Sequence, residues 1–254
     1  MMAVVTDLDG TVVPVGSDGS DIDAETVDCV RMANDAGLRI ACATGRSWQL
    51  ARPIITRLAI STPCIVEGGT RIVDPCDGST LWQKGLTAAA AREVTDVFRC
   101  LVPDAQIKHS DSDRPEQQRR GPVPLEPRFL YLLAVPEHVA RRVQDTLAGL
   151  PSVAAHCTPA WTGQQLLDVH VTHREATKGH AMTQWQELLG VTSAQTAVLG
   201  DSENDLPLFA SARVRIAVGD ASPALRVQAD YVSVPLAERP LVDVVQRMLA
   251  GLLS

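Results

Sequence analysis

Two carboxylates near the start of the chain are spaced for joint chemistry. Asp7 and Asp9 follow a short run of valines and are followed directly by Gly10 and Thr11. An apolar run that ends in acids and a glycine predicts a buried strand that delivers both acids to the edge of a sheet. Because residues i and i+2 of an extended segment point the same way, we expect the two carboxylates to share one pocket. Their mutual repulsion then requires a metal ion, a proton, or both.

A second group of acids lies far along the chain. A strand predicted over 196–199 ends in the run Gly-Asp-Ser-Glu-Asn-Asp at 200–205. The carboxyl ends of parallel strands meet at one edge of a sheet, so this run should converge with the first acid pair. Oxygen ligands favour Mg²⁺ over Zn²⁺, and Mg²⁺ also suits a substrate phosphate. The candidate metal ligands are Asp7, Asp9, Asp201 and Asp205.

The elements that must position these acids alternate between strand and helix. Hydrophobic patterns and turn residues predict helices over 24–36, 47–58, 178–189 and 241–253, with Asp21 or Asp23 as the cap of the first. They predict strands over 38–43, 63–66, 196–199, 214–218 and 231–234, and a hairpin from 71–73 back to 81–82. In the helix over 178–189, we expect one apolar face formed by Ala181, Met182, Trp185, Leu188 and Leu189. The sequence therefore predicts an α/β fold with a parallel sheet.

The middle of the chain breaks this alternation. Between 85 and 171 the pattern becomes helix, strand, loop, strand, helix and two strands, with helices over 87–101 and 136–150 and strands over 129–135 and 166–171. The segment 111–128 is rich in proline and charge and is predicted to be a long exposed loop. We therefore expect a core domain formed by 1–84 and 172–254, with an α+β domain inserted at 85–171.

The bulk properties exclude several classes of protein. A net charge of −7 argues against a general binder of nucleic acid, which needs concentrated Lys and Arg. Since no apolar stretch is long enough to span a membrane and no basic, apolar leader precedes the first acids, we expect a cytoplasmic protein without a membrane partner. The six cysteines show no CxxC pair or zinc spacing, and we expect most of them to be buried and reduced.

Four motifs, taken in order, resemble those of the haloacid dehalogenase-like phosphohydrolases. They are Asp-Leu-Asp-Gly-Thr at 7–11, Ala-Thr-Gly-Arg at 43–46, Lys-Gly at 178–179 and Gly-Asp-Ser-Glu-Asn-Asp at 200–205. The insertion between the second and third motifs resembles the Cof-type and sucrose-phosphate-phosphatase-like subgroup. The resemblance implies a Rossmann-like core and an inserted α+β cap that sets substrate specificity.

The resemblance also implies roles for the acids. Asp7 would attack phosphorus and form an aspartyl-phosphate, which divides hydrolysis into two easier displacements. Asp9 would protonate the leaving group and then activate water, and would offer the metal only its backbone carbonyl. Asp201 would bind Mg²⁺ directly, whereas Asp205 would bind through water or orient Lys178.

Other matched positions are expected to meet the phosphate. Thr44 would offer its hydroxyl and its amide, a role compatible with capping the next helix, and Gly45 belongs to the same phosphate-binding turn. Arg46 either reaches the substrate or braces a core acid as a bidentate pair. Lys178 would neutralise Asp7 and the transferring phosphoryl group, and Asn204 would contact phosphate.

Some positions depart from the family or carry weaker expectations. Relatives often have Asn-Gly after the third strand where this chain has Glu-Gly-Gly at 67–69, which removes any contact made by that asparagine. Candidate substrate contacts in the inserted domain are Arg119, Arg120, Arg128, Trp161 and Gln164. We expect His170 and His173 to serve a strand edge and a turn.

The resulting hypothesis is a Mg²⁺-dependent phosphomonoesterase that acts on a small phosphorylated metabolite, such as a sugar or polyol phosphate. Three alternatives stay open: a phosphoglycolate-type phosphatase, a phosphotransferase or phosphomutase, and a phosphate-sensing regulator without catalysis. The sequence leaves the oligomeric state open.

Overall fold

A computed structural model describes residues 2–104, 107–110, 126–160 and 166–253. The chain divides into two compact units, which are described separately. The first unit combines Met1–Trp82 with Thr177–Ser254, and the second is Gln83–Ala176.

The strands are β1 (Ala3–Thr6), β2 (Arg39–Cys42), β3 (Cys64–Val66), β4 (Arg71–Val73), β5 (Thr80–Gln83), β6 (Ile107–His109), β7 (Phe129–Pro136), β8 (Val153–Pro159), β9 (Leu166–His173), β10 (Thr196–Gly200), β11 (Val214–Ala217) and β12 (Tyr231–Val232). The helices are α1 (Ala24–Asp35), α2 (Trp48–Arg57), α3 (Ala88–Leu101), α4 (Glu137–Leu147), α5 (Lys178–Leu189), α6 (Leu206–Phe209), α7 (Pro223–Gln228) and α8 (Pro240–Leu249).

A five-stranded parallel sheet forms the centre of the first unit, in the order β12-β11-β10-β1-β2. In the register of β1, Thr6 lies opposite both Leu199 of β10 and Cys42 of β2. The segments that follow these three strands therefore leave the sheet at the same level of one edge. This arrangement confirms the predicted α/β fold with a parallel-sheet core.

The local sequence explains why these strands lie at the centre. Every residue of β1 and β10 is buried, as expected for parallel strands covered on both faces. The strand β3 joins the edge of this sheet through a parallel bridge between Ala43 and Ile65, and it pairs antiparallel with β4. The loop after β2 is therefore held between β1 and β3.

The helix α5 packs on the core with a narrower face than the sequence predicts. Ala181, Met182 and Trp185 are buried, whereas Leu188, another member of the predicted apolar face, is 49% exposed. The helix ends at Gly190 in a left-handed conformation, as its sequence predicts. Asp23, one of the two predicted caps, accepts a hydrogen bond from the amide of Thr26 at the start of α1.

The second unit has its own sheet and core. Its antiparallel strands follow the order β6-β7-β9-β8, and α3 and α4 share a buried apolar cluster with residues from β7, β8 and β9. The order of elements is helix, strand, strand, helix and two strands, as the pattern predicts. Most of the predicted exposed loop, at 111–125, lies outside the described residues.

Several predictions made from the sequence need adjustment. α4 and α8 end at Leu147 and Leu249, before the predicted 150 and 253, and β12 has two residues instead of four. Half of the cysteines do not follow the expected burial: Cys76 and Cys100 are exposed and Cys157 is intermediate. Across the described ranges of the chain, every helix is too short or too polar to cross a lipid bilayer.

Candidate active site

Asp7 lies directly after β1, at the carboxyl edge of the parallel sheet. Its amide donates a hydrogen bond to the carbonyl of Leu199 at 2.9 Å, which keeps the backbone in line with β10. Its side chain is nearly inaccessible, with the residue only 4% exposed. Burial raises the pKa of Asp7 to about 7, although the nearby ammonium of Lys178 acts to lower it. A carboxylate in this position has a strong need for a cation.

The buried ammonium of Lys178 joins acids from two ends of the chain. Its Nζ donates to Oδ1 of Asp7 at 2.9 Å and to Oδ1 of Asp205 at 2.7 Å, and the residue is 4% exposed. Burial alone would lower the pKa of Lys178, but the carboxylates of Asp7 and Asp205 raise it well above its usual range. Lys178 is therefore a permanent positive charge beside Asp7.

Three acids can bring carboxylate oxygens close enough to share one cation. One oxygen each from Asp7, Asp201 and Asp205 lies within 4.8 Å of the others. Thr11 donates its hydroxyl to Oδ1 of Asp201 at 3.1 Å. Burial, followed by the charge of Asp205, raises the pKa of Asp201. Lys178 supplies one positive charge for three carboxylates, and this all-carboxylate set fits a further hard cation such as Mg²⁺.

Asp205 has less freedom than the other two acids. While its Oδ1 accepts from Lys178, its Oδ2 accepts from the amides of Asp201 and Ser202 at 3.2 and 3.4 Å. Asp205 is fully buried. Of the two roles predicted for Asp205, orienting Lys178 is the one that its direct contacts support. Asp7 and Asp201 are then the carboxylates best placed to hold a metal directly.

Two glycines let backbone and side chains approach closely around this cluster. Gly10 has φ of +78°, and a Cβ there would lie 2.5 Å from Oδ2 of Asp201. Gly69 has φ of +100°, and a Cβ there would lie 2.2 Å from the carbonyl carbon of Thr177. Since Thr177 caps α5 through the amide of His180, the turn at Gly69 packs against the start of the helix that carries Lys178.

The side chain of Asp9 has a different partner from that of Asp7. β1 ends at Thr6, and the carbonyl of Leu8 accepts hydrogen bonds from the amides of three following residues, so the chain turns between the two acids. The carboxylate of Asp9 instead faces Arg46, whose Nε and Nη2 donate to its two oxygens at 2.7 and 2.5 Å. The side-chain carboxylate of Asp9 is therefore not part of the acidic cluster, and the contribution to a metal expected of Asp9 is only its backbone carbonyl.

The turn after β2 is tied to the neighbouring strand. The amide of Thr44, expected to face phosphate, already donates to the carbonyl of Ile65 at 2.9 Å, so that part of the prediction was wrong. The hydroxyl of Thr44 accepts from the amide of Arg46 at 3.1 Å and keeps its own proton to donate. Within the part of the chain that the structure describes, the exposed amide of Gly45 donates to no other group.

Two residues of the polar run that follows β10, Glu203 and Asn204, are exposed at the surface. Asn204 is exposed, and its side-chain oxygen accepts a hydrogen bond from the hydroxyl of Ser202. Glu203 is also exposed, within the same short turn of 3₁₀ helix (Glu203–Asp205). Asn204 thus directly precedes Asp205 of the acidic cluster. The orientation of its side-chain amide is set by the hydrogen bond from Ser202 in the same turn.

The candidate contacts of the second unit have different outcomes. Arg119, Arg120, Trp161 and Gln164 lie outside the described residues. His170 is not at a strand edge, because β9 lies between β7 and β8, and its ring stacks on Tyr131 with centroids 4.2 Å apart. Burial lowers the pKa of His170 to about 3, so the ring is neutral. His173 serves a turn as expected, accepting from the amide of Glu175 at 3.0 Å.

Sequence reasoning missed two features of the site. Thr11 was noted only as part of a motif, yet its hydroxyl orients Asp201. Glu67 has φ of +56° and is 3% exposed, and its amide donates to the carbonyl of Arg46 at 2.8 Å. The sequence pattern that could have predicted the conformation of Glu67 is its position before two glycines, which is typical of a turn with residues in the left-handed region.

Comparison with solved structures shows the class of this fold. A haloacid dehalogenase-like hydrolase from Bacteroides thetaiotaomicron superposes with a TM-score of 0.80 over 97% of this chain and 99% of its own, at 15% identity. A haloacid dehalogenase-like hydrolase from B. subtilis gives a TM-score of 0.75 at 18% identity, over 98% of this chain and 100% of its own.

Sequence comparison then narrows the class. The model of the sucrose-6F-phosphate phosphohydrolase family matches residues 1–240, and the chain belongs to that family of phosphatases. A phosphoglycolate phosphatase of Methanothermobacter thermautotrophicus is 24% identical over 98% of this chain and 99% of its own length. A pyridoxal phosphate phosphatase of Escherichia coli is 22% identical over 90% of this chain and 92% of its own.

Proposed function

We propose that this phosphatase is a Mg²⁺-dependent phosphomonoesterase that works through a phosphorylated Asp7. The observation that carries the proposal is the buried contact of Lys178 with both Asp7 and Asp205, beside a third acid, Asp201. Burying this many charges is costly, and a fold that needed only stability would gain more from apolar packing. Buried, charge-coupled titratable groups of this kind are typical of functional sites.

In the first step, Oδ2 or Oδ1 of Asp7 attacks phosphorus and the bond from phosphorus to the leaving oxygen breaks. Lys178 offsets the negative charges of Asp7 and of the transferring group, which would otherwise repel each other as they approach. Asp9, acting as the general acid, gives a proton to the leaving oxygen, and the alcohol departs. The products of the step are the free alcohol and an acyl phosphate on Asp7.

In the second step, water attacks the phosphorus of the acyl phosphate. Asp9, now a carboxylate, takes a proton from that water, and the bond between Asp7 and phosphorus breaks. Asp7 is regenerated as a carboxylate beside Lys178, and Asp9 regains the proton that it gave away. Inorganic phosphate is released.

The acidic cluster would hold the metal through the carboxylates of Asp7 and Asp201. Asp205 would orient Lys178 or bind the metal through water. Asp9 would offer the metal its backbone carbonyl. A bound Mg²⁺ would supply positive charge to the oxygens of the phosphoryl group and would relieve the repulsion among the carboxylates. The chemistry of the donor set supports this assignment, because all of the side-chain ligands are carboxylates.

The turn after β2 would bind the remaining phosphate oxygens. The hydroxyl of Thr44 and the exposed amide of Gly45 are both free to donate there. This assignment replaces the expected amide of Thr44 with that of the next residue. Asn204 would add a contact once its amide turns away from Ser202.

The substrate would be a small phosphorylated metabolite, and the second unit would act as a cap that contacts its leaving group. A sugar or polyol phosphate is the expected class. The relatives named as phosphoglycolate phosphatases support a short, acidic phosphate as the second candidate.

The test is release of inorganic phosphate from p-nitrophenyl phosphate and from a panel of sugar, polyol and carboxylic acid phosphates, with Mg²⁺ or with a chelator. We expect turnover only with Mg²⁺, and a loss of at least about 10³-fold in Asp7→Asn. Undiminished turnover in Asp7→Asn would overturn the proposal. A phosphorylated acceptor formed without free phosphate would identify a transferase instead.

A further inference from the structure

Arg46 connects the candidate acid–base group to the loop that follows it. Its Nε and Nη2 donate to the two oxygens of Asp9 at 2.7 and 2.5 Å, and its Nη1 donates to the carbonyl of Ser17 at 2.6 Å. The amide of Gly16 donates to Oδ1 of Asp9 at 3.2 Å. A single guanidinium thus holds Asp9 and the far end of the loop between residues 9 and 17.

The geometry of this contact fixes orientation as well as charge. Two parallel N–H donors to two carboxylate oxygens prevent the carboxylate of Asp9 from rotating, which a single donor does not. The side chain of Arg46 is 11% exposed and that of Asp9 is 28% exposed. The acid therefore remains open to solvent on one side while the group that holds it is largely covered.

We propose that Arg46 is a positioning residue that aims the carboxylate of Asp9, and that it is not a contact for the substrate. This inference rests on the proposed function, in which Asp9 transfers the proton. The sequence left two roles open for Arg46, and its fork is already occupied by Asp9 and Ser17. These contacts use three of the five N–H groups of the guanidinium, and swinging the side chain toward a substrate would leave Asp9 without its two strongest donors.

The second step of the reaction, hydrolysis of the acyl phosphate on Asp7, depends more than the first on the orientation of the Asp9 carboxylate. With p-nitrophenyl phosphate, the leaving group departs without needing a proton, so Asp7 becomes phosphorylated even when Asp9 is misplaced. Water still requires a base. Misplacing Asp9 should therefore slow hydrolysis of the acyl phosphate more than its formation, and phosphorylated enzyme should accumulate.

The chain offers a matched control at the end of α2. Arg57 also donates two hydrogen bonds to the region after β1, from Nε and Nη2 to the carbonyl of Ile22 at 3.1 and 2.9 Å. Both hydrogen bonds go to a backbone carbonyl, and neither goes to a carboxylate side chain. Arg57→Lys therefore reports the effect of loosening this region without disturbing Asp9.

The experiment compares wild type, Asp9→Asn, Arg46→Lys, Arg46→Gln, Arg57→Lys and the double variant Asp9→Asn with Arg46→Lys. Steady-state rates with p-nitrophenyl phosphate and Mg²⁺ are measured together with the phosphorylated fraction, read as intact mass after acid quench. The thermal midpoint of each variant shows whether it folds. Arg46 is replaced in two ways so that the test can still be made if one of the two variants does not fold.

We expect Arg46→Lys to lower kcat by about 10²-fold, with KM changed by less than about threefold and with phosphorylated enzyme accumulating as in Asp9→Asn. The double variant should be no slower than Asp9→Asn, since both changes disable one group. Arg57→Lys should resemble wild type.

Three results would overturn the inference: a raised KM with kcat kept, losses that multiply in the double variant, or the same behaviour in Arg57→Lys. Failure of the proposed function looks different, because then wild type shows no phosphorylated enzyme or Asp7→Asn retains turnover. If wild type and Asp7→Asn behave as proposed while Arg46→Lys does not follow Asp9→Asn, the positioning role of Arg46 alone is wrong.

Discussion

At the scale of single residues, the site depends on one buried ammonium between two carboxylates. Removing Lys178 would leave Asp7 and Asp205 facing each other with no positive charge inside the contact. Breaking a buried ion pair by removing one partner typically costs about 3–5 kcal/mol. The same residue would support both the fold and the reaction.

We therefore expect Lys178→Met to lower the free energy of unfolding at pH 8 by about 3–5 kcal/mol in metal-free buffer, measured by urea denaturation. The loss should be smaller at pH 5, where the carboxylates can take up protons. Arg215 pairs with Asp230 at a similar 2.7 Å but with both side chains about 40% exposed, so Arg215→Met should change stability far less. Equal losses in the two variants would show that burial does not matter here.

At the scale of elements, the position of Lys178 depends on how α5 begins. Gly69 lies against Thr177, so a side chain at residue 69 would push the start of this helix away from the sheet. Gly190 at the other end of α5 also has positive φ, at +63°, but open space around it. The two glycines separate the cost of strained backbone from the cost of a displaced helix.

We expect Gly190→Ala to cost about 1–2 kcal/mol of stability and to leave kcat with p-nitrophenyl phosphate unchanged. Gly69→Ala should cost more and should also lower kcat, because it moves the residue that faces Asp7. The measurements are urea denaturation and steady-state rates for both variants. A fully active Gly69→Ala enzyme would show that this packing does not place Lys178.

The sequence predicts the strands that position the site better than it predicts the contacts made by the residues in the turns that follow these strands. The ends of β1 and β10 follow from buried runs that stop at acids, and their parallel pairing brings Asp7 and Asp201 together. The position of Asp9 depends on a turn at Leu8, which the spacing of two acids does not reveal. The amide of Thr44 is taken by β3, a partner 21 residues away that local patterns do not identify.

At the scale of the whole molecule, the buried acids link stability to pH and to metal. The pKa of Asp7 is raised from 3.8 to about 7 and that of Asp201 is also raised. Between pH 4 and 7 the folded chain therefore holds protons that the unfolded chain has released. By linkage, this contribution to stability is present at low pH and is lost as pH rises through about 7.

Mg²⁺ needs the deprotonated acids, so its effect on stability should run in the opposite direction. We expect a millimolar concentration of Mg²⁺ to raise the thermal midpoint clearly at pH 8 and much less at pH 5.5. Asp201→Asn should lose this shift, and the surface variant Asp230→Asn should keep it. A shift of equal size at both pH values would contradict the raised pKa of Asp7 and of Asp201.

The proposed reaction passes the phosphoryl group through the side chain of Asp7. Borohydride reduces an acyl phosphate to an alcohol, so treating the enzyme during turnover of p-nitrophenyl phosphate and sequencing its peptides by mass spectrometry would locate the intermediate. We predict homoserine at position 7 in the presence of Mg²⁺ and substrate, and unmodified Asp7 when either is omitted. Rapid phosphate release with Asp7 never reduced, or reduction at another acid instead, would contradict the account.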